Sequence, residues 1–380
     1  MPPRSGHPWR GLAAAAVFVV AACSDSTGPQ AHLASPEQLS ADLQSVAGVV
    51  TSPAFASFAT IGTAAGSPAA VSTPAGALLQ AAPITPPRTS SQPYADAPRR
   101  LAALRAAGVA LGSTISASVI PSQYLAQTFV WDDATHQYVV GPDAGPSNGV
   151  RIILYALDPL TGQVAEPSNA VGYVDLLDQS NGGTNALEVL LNGGTPASPG
   201  TTYAHYTITG SVTGNPPTTF TATASGFVSD GTRTLTFDAT FSGTNLTTDN
   251  PDVDLQVTWD LNDPAVHIEL HETLATSDAN HVTISVHFSV IRGTETVSVD
   301  GTITEVVSPL TVTADLHITV GGVPYADVVG TNQGIQLRHH DGSALSAAEL
   351  QAVSDLFEMP DNLSGAMESL VNPCQHMLGA

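Results

Sequence analysis

Residues 267–288 read HIELHETLATSDANHVTISVHF, from His267 to Phe288. Apolar side chains fall on every second position: Ile268 and Leu270, then Val282, Ile284, Val286 and Phe288. Between them stand His267, Glu269 and His271, and later Thr283, Ser285 and His287. A period of two belongs to a β-strand, whose successive side chains point to opposite faces. The stretch therefore reads as two half-buried strands joined by the turn TSDAN, with its histidines on the wet side.

The same alternation extends in both directions. Upstream it is carried by Ala204, Tyr206 and Ile208, by Phe220, Ala222 and Ala224, by Leu235, Phe237 and Phe241, and by Val257, Trp259 and Leu261. Downstream it continues through Val297, Val299 and Ile303 and through Leu316, Ile318 and Val320. The opposite positions hold Thr, Ser, Asp, Gln and His, and short turns such as SDGT, LNDP, RGTE and VGGVP separate the runs. Earlier, AQTFVWDDATHQYVV reads as a hairpin turning at Asp132–Thr135, followed by strands in GVRIILY, NAVGYVDLLD and NALEVLLNGG. Short turns join antiparallel neighbours, so the pattern predicts a meander of roughly twelve to fourteen strands.

One face of such a sheet is dry along its length. Each large apolar side chain left wet forgoes about 1.5–3 kcal/mol, so the face must be covered. Helices stand ready at both ends. In SPEQLSADLQSVAGVV, Ser35 suits an N-cap, Pro36 the first helical position and Gln38 the third residue of a capping box. SALSAAELQAVSDLFEMP opens on Ser343 or Ser346 and stops at Pro360, and DNLSGAMESLVNP reads as a second, shorter helix. The expected fold is mainly β: one large antiparallel meander, curved and half-barrel-like or folded as a sandwich, with N- and C-terminal helices on its apolar face. A lipid-holding groove is the other way to occupy that face. A transmembrane barrel shows the same alternation, but 6% aromatic content leaves little for girdles, and the chain ends are helical.

The N-terminus supplies an address. Arg4 and Arg10 precede an eleven-residue apolar run, Leu12 to Ala22, too short to cross a bilayer as a helix. It closes on Val20-Ala21-Ala22-Cys23. This resembles the bacterial lipobox, whose cysteine is lipidated and becomes the mature N-terminus, with Val20 where the family favours Leu. The resemblance covers about the first 28 residues and implies acylation (palmitate among the chains) at Cys23, anchorage to the cell-envelope membrane and a flexible tether after it. Ser24 follows the cysteine and Asp25 comes one later, which favours the outer over the inner membrane. More loosely, the body resembles uncharacterised lipoproteins with a TFVWD…Y hairpin before a Thr-rich meander. The expected organisation is a signal peptide over 1–22, a tether over 23–34, a helical segment over 35–61, an Ala/Pro/Ser/Thr-rich linker with a possible short helix over 62–112, a β domain over 113–342 and helices over 343–380.

Charge narrows the partners. Thirty-three acidic residues oppose ten basic ones, all Arg, for a formal charge of −23. Such a chain repels nucleic-acid phosphates, so no nucleic-acid partner is expected. The two cysteines are Cys23 and Cys374; with Cys23 acylated, Cys374 has no disulfide partner. There is no G-x-S-x-G, P-loop or G-x-G-x-x-G.

Chemistry therefore rests on the histidines. HETLA lacks the second histidine of a zinc-protease helix, since Ala275 stands in its place. Pairing from turn centres sets Glu269 opposite His287, His287 opposite Asp300, Asp300 opposite His317, and Asp260 opposite His267. His267 and His271 are four residues apart, about 13 Å along a strand, too far to share a zinc whose bonds are about 2.0–2.1 Å. Glu269 with His287, joined by His267 or His271, is the one metal set the pattern offers. The alternative is a ladder of acid–histidine pairs that keeps one face soluble. Asp249, Asp252 and Asp254 offer a weak calcium loop without EF-hand spacing. No cofactor is required by the sequence; zinc or calcium are the ions these residues would suit.

Three functions follow. The first is a lipid-anchored, non-enzymatic envelope protein. The second is a carrier of a lipid-like ligand, as in curved-sheet carriers of the LolA/LppX type, whose plan the strand-and-helix order resembles. The third is a metal-dependent hydrolase built on Glu269 and His287.

Overall fold

The computed structural model describes residues 31–61 and 119–359, apart from positions 182, 215–217, 247, 249–250, 279–280, 308–309 and 332–333. Cys23 with its leader, the linker 62–112, the last C-terminal helix and Cys374 lie outside the described residues.

Among the described residues, two helices come first, α1 (Pro36–Val50) and α2 (Ala56–Thr60). The strands β1 (Gln127–Asp132), β2 (Gln137–Ala144), β3 (Gly149–Tyr155), β4 (Ala170–Asp178) and β5 (Asn185–Thr195) follow. Next are β6 (Ser198–Thr213), β7 (Thr219–Ser229), β8 (Thr234–Thr244), β9 (Asp252–Asn262) and β10 (Ala265–Asp278). The series ends with β11 (His281–Arg292), β12 (Glu295–Val307), β13 (Leu310–Val320), β14 (Val323–Thr331) and β15 (Gly334–His339). A helix over 347–359, here α3, follows.

All fifteen strands form one open sheet, and from β3 to β15 each lies beside its neighbours in sequence. The turn chemistry dictates this, since every connection from β5 onward is short enough to fold back at once. One junction departs from the all-antiparallel expectation. Strand β3 joins the free side of β1 rather than of β2, and Gln127–Phe129 therefore run parallel to Val150–Ile152. Strand β2 carries Pro142, which donates nothing to a ladder, so it suits the outer edge.

The apolar faces of the strands form one continuous core that also takes in the helices. From α1 come Leu39, Leu43, Val46, Val49 and Val50, each at most 1% exposed. Phe55, Phe58 and Ile61 follow from α2 and its flanks, and Ala352, Val353, Leu356 and Met359 from α3. Ser35 caps α1 as expected, accepting from the Gln38 amide at 3.4 Å. The capping box is only half made, because the Gln38 side chain turns forward to Asp42 Oδ1 at 2.7 Å. Helix α3 has the full box: Ser346 N–H donates to Glu349 Oε2 at 2.8 Å and Glu349 N–H to Ser346 Oγ at 3.3 Å.

Two arginines tie α1 to the hairpin ends it crosses. Arg233, between β7 and β8, forks onto Asp230 and donates to the Ser45 carbonyl. Arg292, at the end of β11, donates to Glu295 at 2.8 Å and 2.5 Å, to Asp42 at 3.4 Å and to the Ser35 carbonyl at 3.1 Å.

Candidate functional site: the acid–histidine face

The alternation that buries Ile268, Leu270, Ile284 and Val286 turns His267, Glu269, His271 and His287 onto the polar face. Register then decides which of them meet. His267 lies opposite Asp260, His287 opposite Asp300, and Asp300 opposite His317, all as expected from the turn centres.

The fourth expected pairing is corrected. Glu269 faces Ser289, and His287 faces His271. The strands run closer to the tip than a five-residue TSDAN turn allows: β10 continues to Asp278, which pairs with His281. The register thus slides by two, which preserves each residue's face and changes its partner. The transverse row is His271–His287–Asp300–His317–Asp327. Glu269 stays beside His267 instead.

His267, His271, His287, His317 and His340 each donate to a carboxylate. His267 is held on both nitrogens, Nδ1 by Asp260 at 2.6 Å and Nε2 by Glu269 at 2.9 Å. His271 reaches diagonally with Nε2 to Asp254 at 2.8 Å, and His287 uses Nδ1 on Asp300 at 2.5 Å. His317 and His340 share Asp327, at 2.7 Å and 3.0 Å. Farther along the sheet His205 meets Glu188 at 2.7 Å. Among the described residues, no three His, Cys, Asp or Glu converge as a metal set.

Asp327 and His340 were not among the residues expected on this face, and Asp254 was expected in a calcium loop rather than as the partner of His271. Asp252 and Asp254 belong to β9 rather than to a calcium loop; Asp252 accepts from Asn245 and Asp254 from His271 and Gln256. Asp249 lies outside the described residues. Counting back from the VGGV turn would set Ala326 opposite His317. A bulge between Ile318 and Thr319, next to Pro324, shifts the ladder by one and delivers Asp327. The Trp and Tyr side chains of the first hairpin pack on one another: Trp131 stands edge-on to Tyr138 at 5.6 Å, and the Tyr138 hydroxyl donates to the Ile153 carbonyl.

Electrostatics distinguish the members. Partial burial pulls the His267 pKa down, but hydrogen bonds to Glu269 and Asp260 and the charges of both outweigh it, so it is raised. The Asp327 hydrogen bond raises that of His317 against partial burial, with the charges of Asp327, Asp315 and Asp300 adding to it. A histidine with a raised folded-state pKa stabilises fully below its unfolded value, about 6.5, and loses that stabilisation as pH rises through the folded value. His267→Gln should therefore cost more at pH 6 than at pH 9 in urea titrations. The difference should lie within the roughly 0.2–1 kcal/mol of exposed pairs. An equal cost at both pH values would show that His267 contributes as a neutral ring.

No protein-family model matches the chain, no curated protein matches its sequence and no solved structure matches its fold.

Proposed function

We propose that this chain is a lipid-anchored, non-enzymatic protein of the bacterial cell envelope, held to the membrane through Cys23 and presenting the polar face of its sheet to an envelope partner. The observation that carries the reading against a carrier is the seating of α1, α2 and α3 within the core of the apolar face. A carrier of the curved-sheet type would keep that face for its ligand. Against hydrolysis, Glu269 is paired with His267 and stands away from His287. The anchor rests on the residues Val20 to Cys23 and on the stable attachment that two or more acyl chains give.

Two measurements test it. Native mass spectrometry of the chain from Ser24 onward, exported to a periplasm, should show no organic adduct. A bound species of several hundred daltons would move lipid carriage to first place. Labelled palmitate should enter the full chain and be lost in Cys23→Ala, together with membrane association. A Cys23→Ala chain still in the membrane fraction would overturn the anchor.

A further inference from the structure

The opposition of His271 and His287 was not expected from the sequence, and it has a chemical consequence. The two are direct cross-strand partners on one face, which sets their Cβ atoms about 4.5–5.5 Å apart. Both side chains are close to half exposed, at 45% and 46%. Each ring uses only one nitrogen. His271 spends Nε2 on Asp254 and keeps Nδ1; His287 spends Nδ1 on Asp300 and keeps Nε2. The two carboxylates approach from opposite outer sides, Asp254 from β9 and Asp300 from β12.

This matches metal-bound histidines, which almost always donate the other ring N–H to a carboxylate, a backbone carbonyl or water. That bond fixes the tautomer and orients the ring. His267 is the internal contrast, because Asp260 and Glu269 occupy both of its nitrogens. His317 is the second contrast: its Nδ1 is on Asp327, and its Nε2 lies 3.5 Å from Asp315.

We propose that His271 and His287 form a two-histidine surface site for a divalent transition metal, with Asp254 and Asp300 as positioning residues. Imidazole nitrogen suits zinc, copper and nickel, whereas calcium and magnesium take oxygen. Water would complete the coordination, because the site is an open face of the sheet. Both residues come from the metal set expected from the sequence, Glu269 with His287 joined by His267 or His271, but Glu269 and His267 bond one another and drop out of it; the site is independent of the anchoring and scaffold reading above.

The test is zinc titration of the purified full chain by calorimetry at pH 7.5 and at pH 5. One saturable site is expected at pH 7.5, weakened at pH 5 because the ligating nitrogens must be unprotonated. Either His271→Ala or His287→Ala should remove it, while His267→Ala leaves it unchanged. Asp254→Asn or Asp300→Asn should weaken it by about 10–100-fold. Copper loading followed by electron paramagnetic resonance should show two imidazole nitrogens. All four side chains are on the surface, and circular dichroism of each variant verifies that the fold is kept. The proposal is overturned if zinc does not saturate, if His267→Ala weakens binding as much as His271→Ala, or if millimolar calcium displaces the zinc. The last result would assign uptake to the diffuse negative charge of the chain.

Discussion

Replacing Arg292 with Met should lower the free energy of unfolding by about 3–5 kcal/mol, the range for a buried ion pair stripped of one partner. Arg292, Asp42 and Glu295 are almost wholly enclosed, with side chains 11%, 8% and 13% exposed. The guanidinium serves β11, β12 and α1 at once, through Glu295, Asp42 and the Ser35 carbonyl. Glu295 in turn accepts from the Ala34 amide at 2.7 Å, just ahead of the helix. Met keeps the aliphatic bulk and removes the charge. Two carboxylates would then lose their shared cation in a largely enclosed site, where their repulsion is screened less than on an open surface. Asp42→Asn should cost much less, about 1 kcal/mol, because Arg292 keeps its shorter bonds to Glu295. Urea unfolding of the three proteins checks this. A loss below about 1 kcal/mol for Arg292→Met would mean that apolar packing of Leu39, Leu43 and Val46 alone holds α1.

This network also marks where sequence reading stops. The strands were legible because their signal is local: two residues set a period, and a turn sets a boundary. Three of four pairings around the histidines followed from turn centres, because RGTE, VVSP and NDP give little freedom. The pairing that failed did so at TSDAN, where five polar residues fit more than one loop length. Asp327 was hidden by a single bulge. Arg292 lies 250 residues from Asp42, and nothing in the period of either segment links them. Long-range ion pairs depend on where a helix comes to rest, which alternation does not encode. The order of β1 and β3 depends likewise on which strand offers a free edge.

The glycines inside strands give the second large effect. Gly226 lies on the apolar face of β7, between Tyr206 on β6 and Phe237 on β8. Its φ is +148°, and a Cβ there would fall 2.2 Å from the His205 carbonyl oxygen and 2.5 Å from Tyr206 Cα. Both are backbone atoms of the neighbouring strand, so no rotamer change relieves the clash. The missing side chain is compensated by the rings on either side, Tyr206 and Phe237, whose centroids lie 6.0 Å apart. Gly301 on β12 and Gly330 on β14 repeat the conformation, at φ +148° and +143°. Glycine kinks of this kind introduce curvature into a sheet. Gly226→Ala should therefore cost more than backbone strain alone, which is about 1–3 kcal/mol, because β6 and β7 must also separate. Gly321 isolates the strain component. Its φ is +59°, in the tight turn between β13 and β14, and nothing lies within 4 Å of a Cβ built there. Gly321→Ala should cost about 1–2 kcal/mol, the left-handed penalty with no clash. Thermal and urea unfolding of the two variants gives the comparison. If Gly226→Ala costs no more than Gly321→Ala, the strands yield easily at Gly226, and the close approach of β6 to β7 is not what requires glycine there.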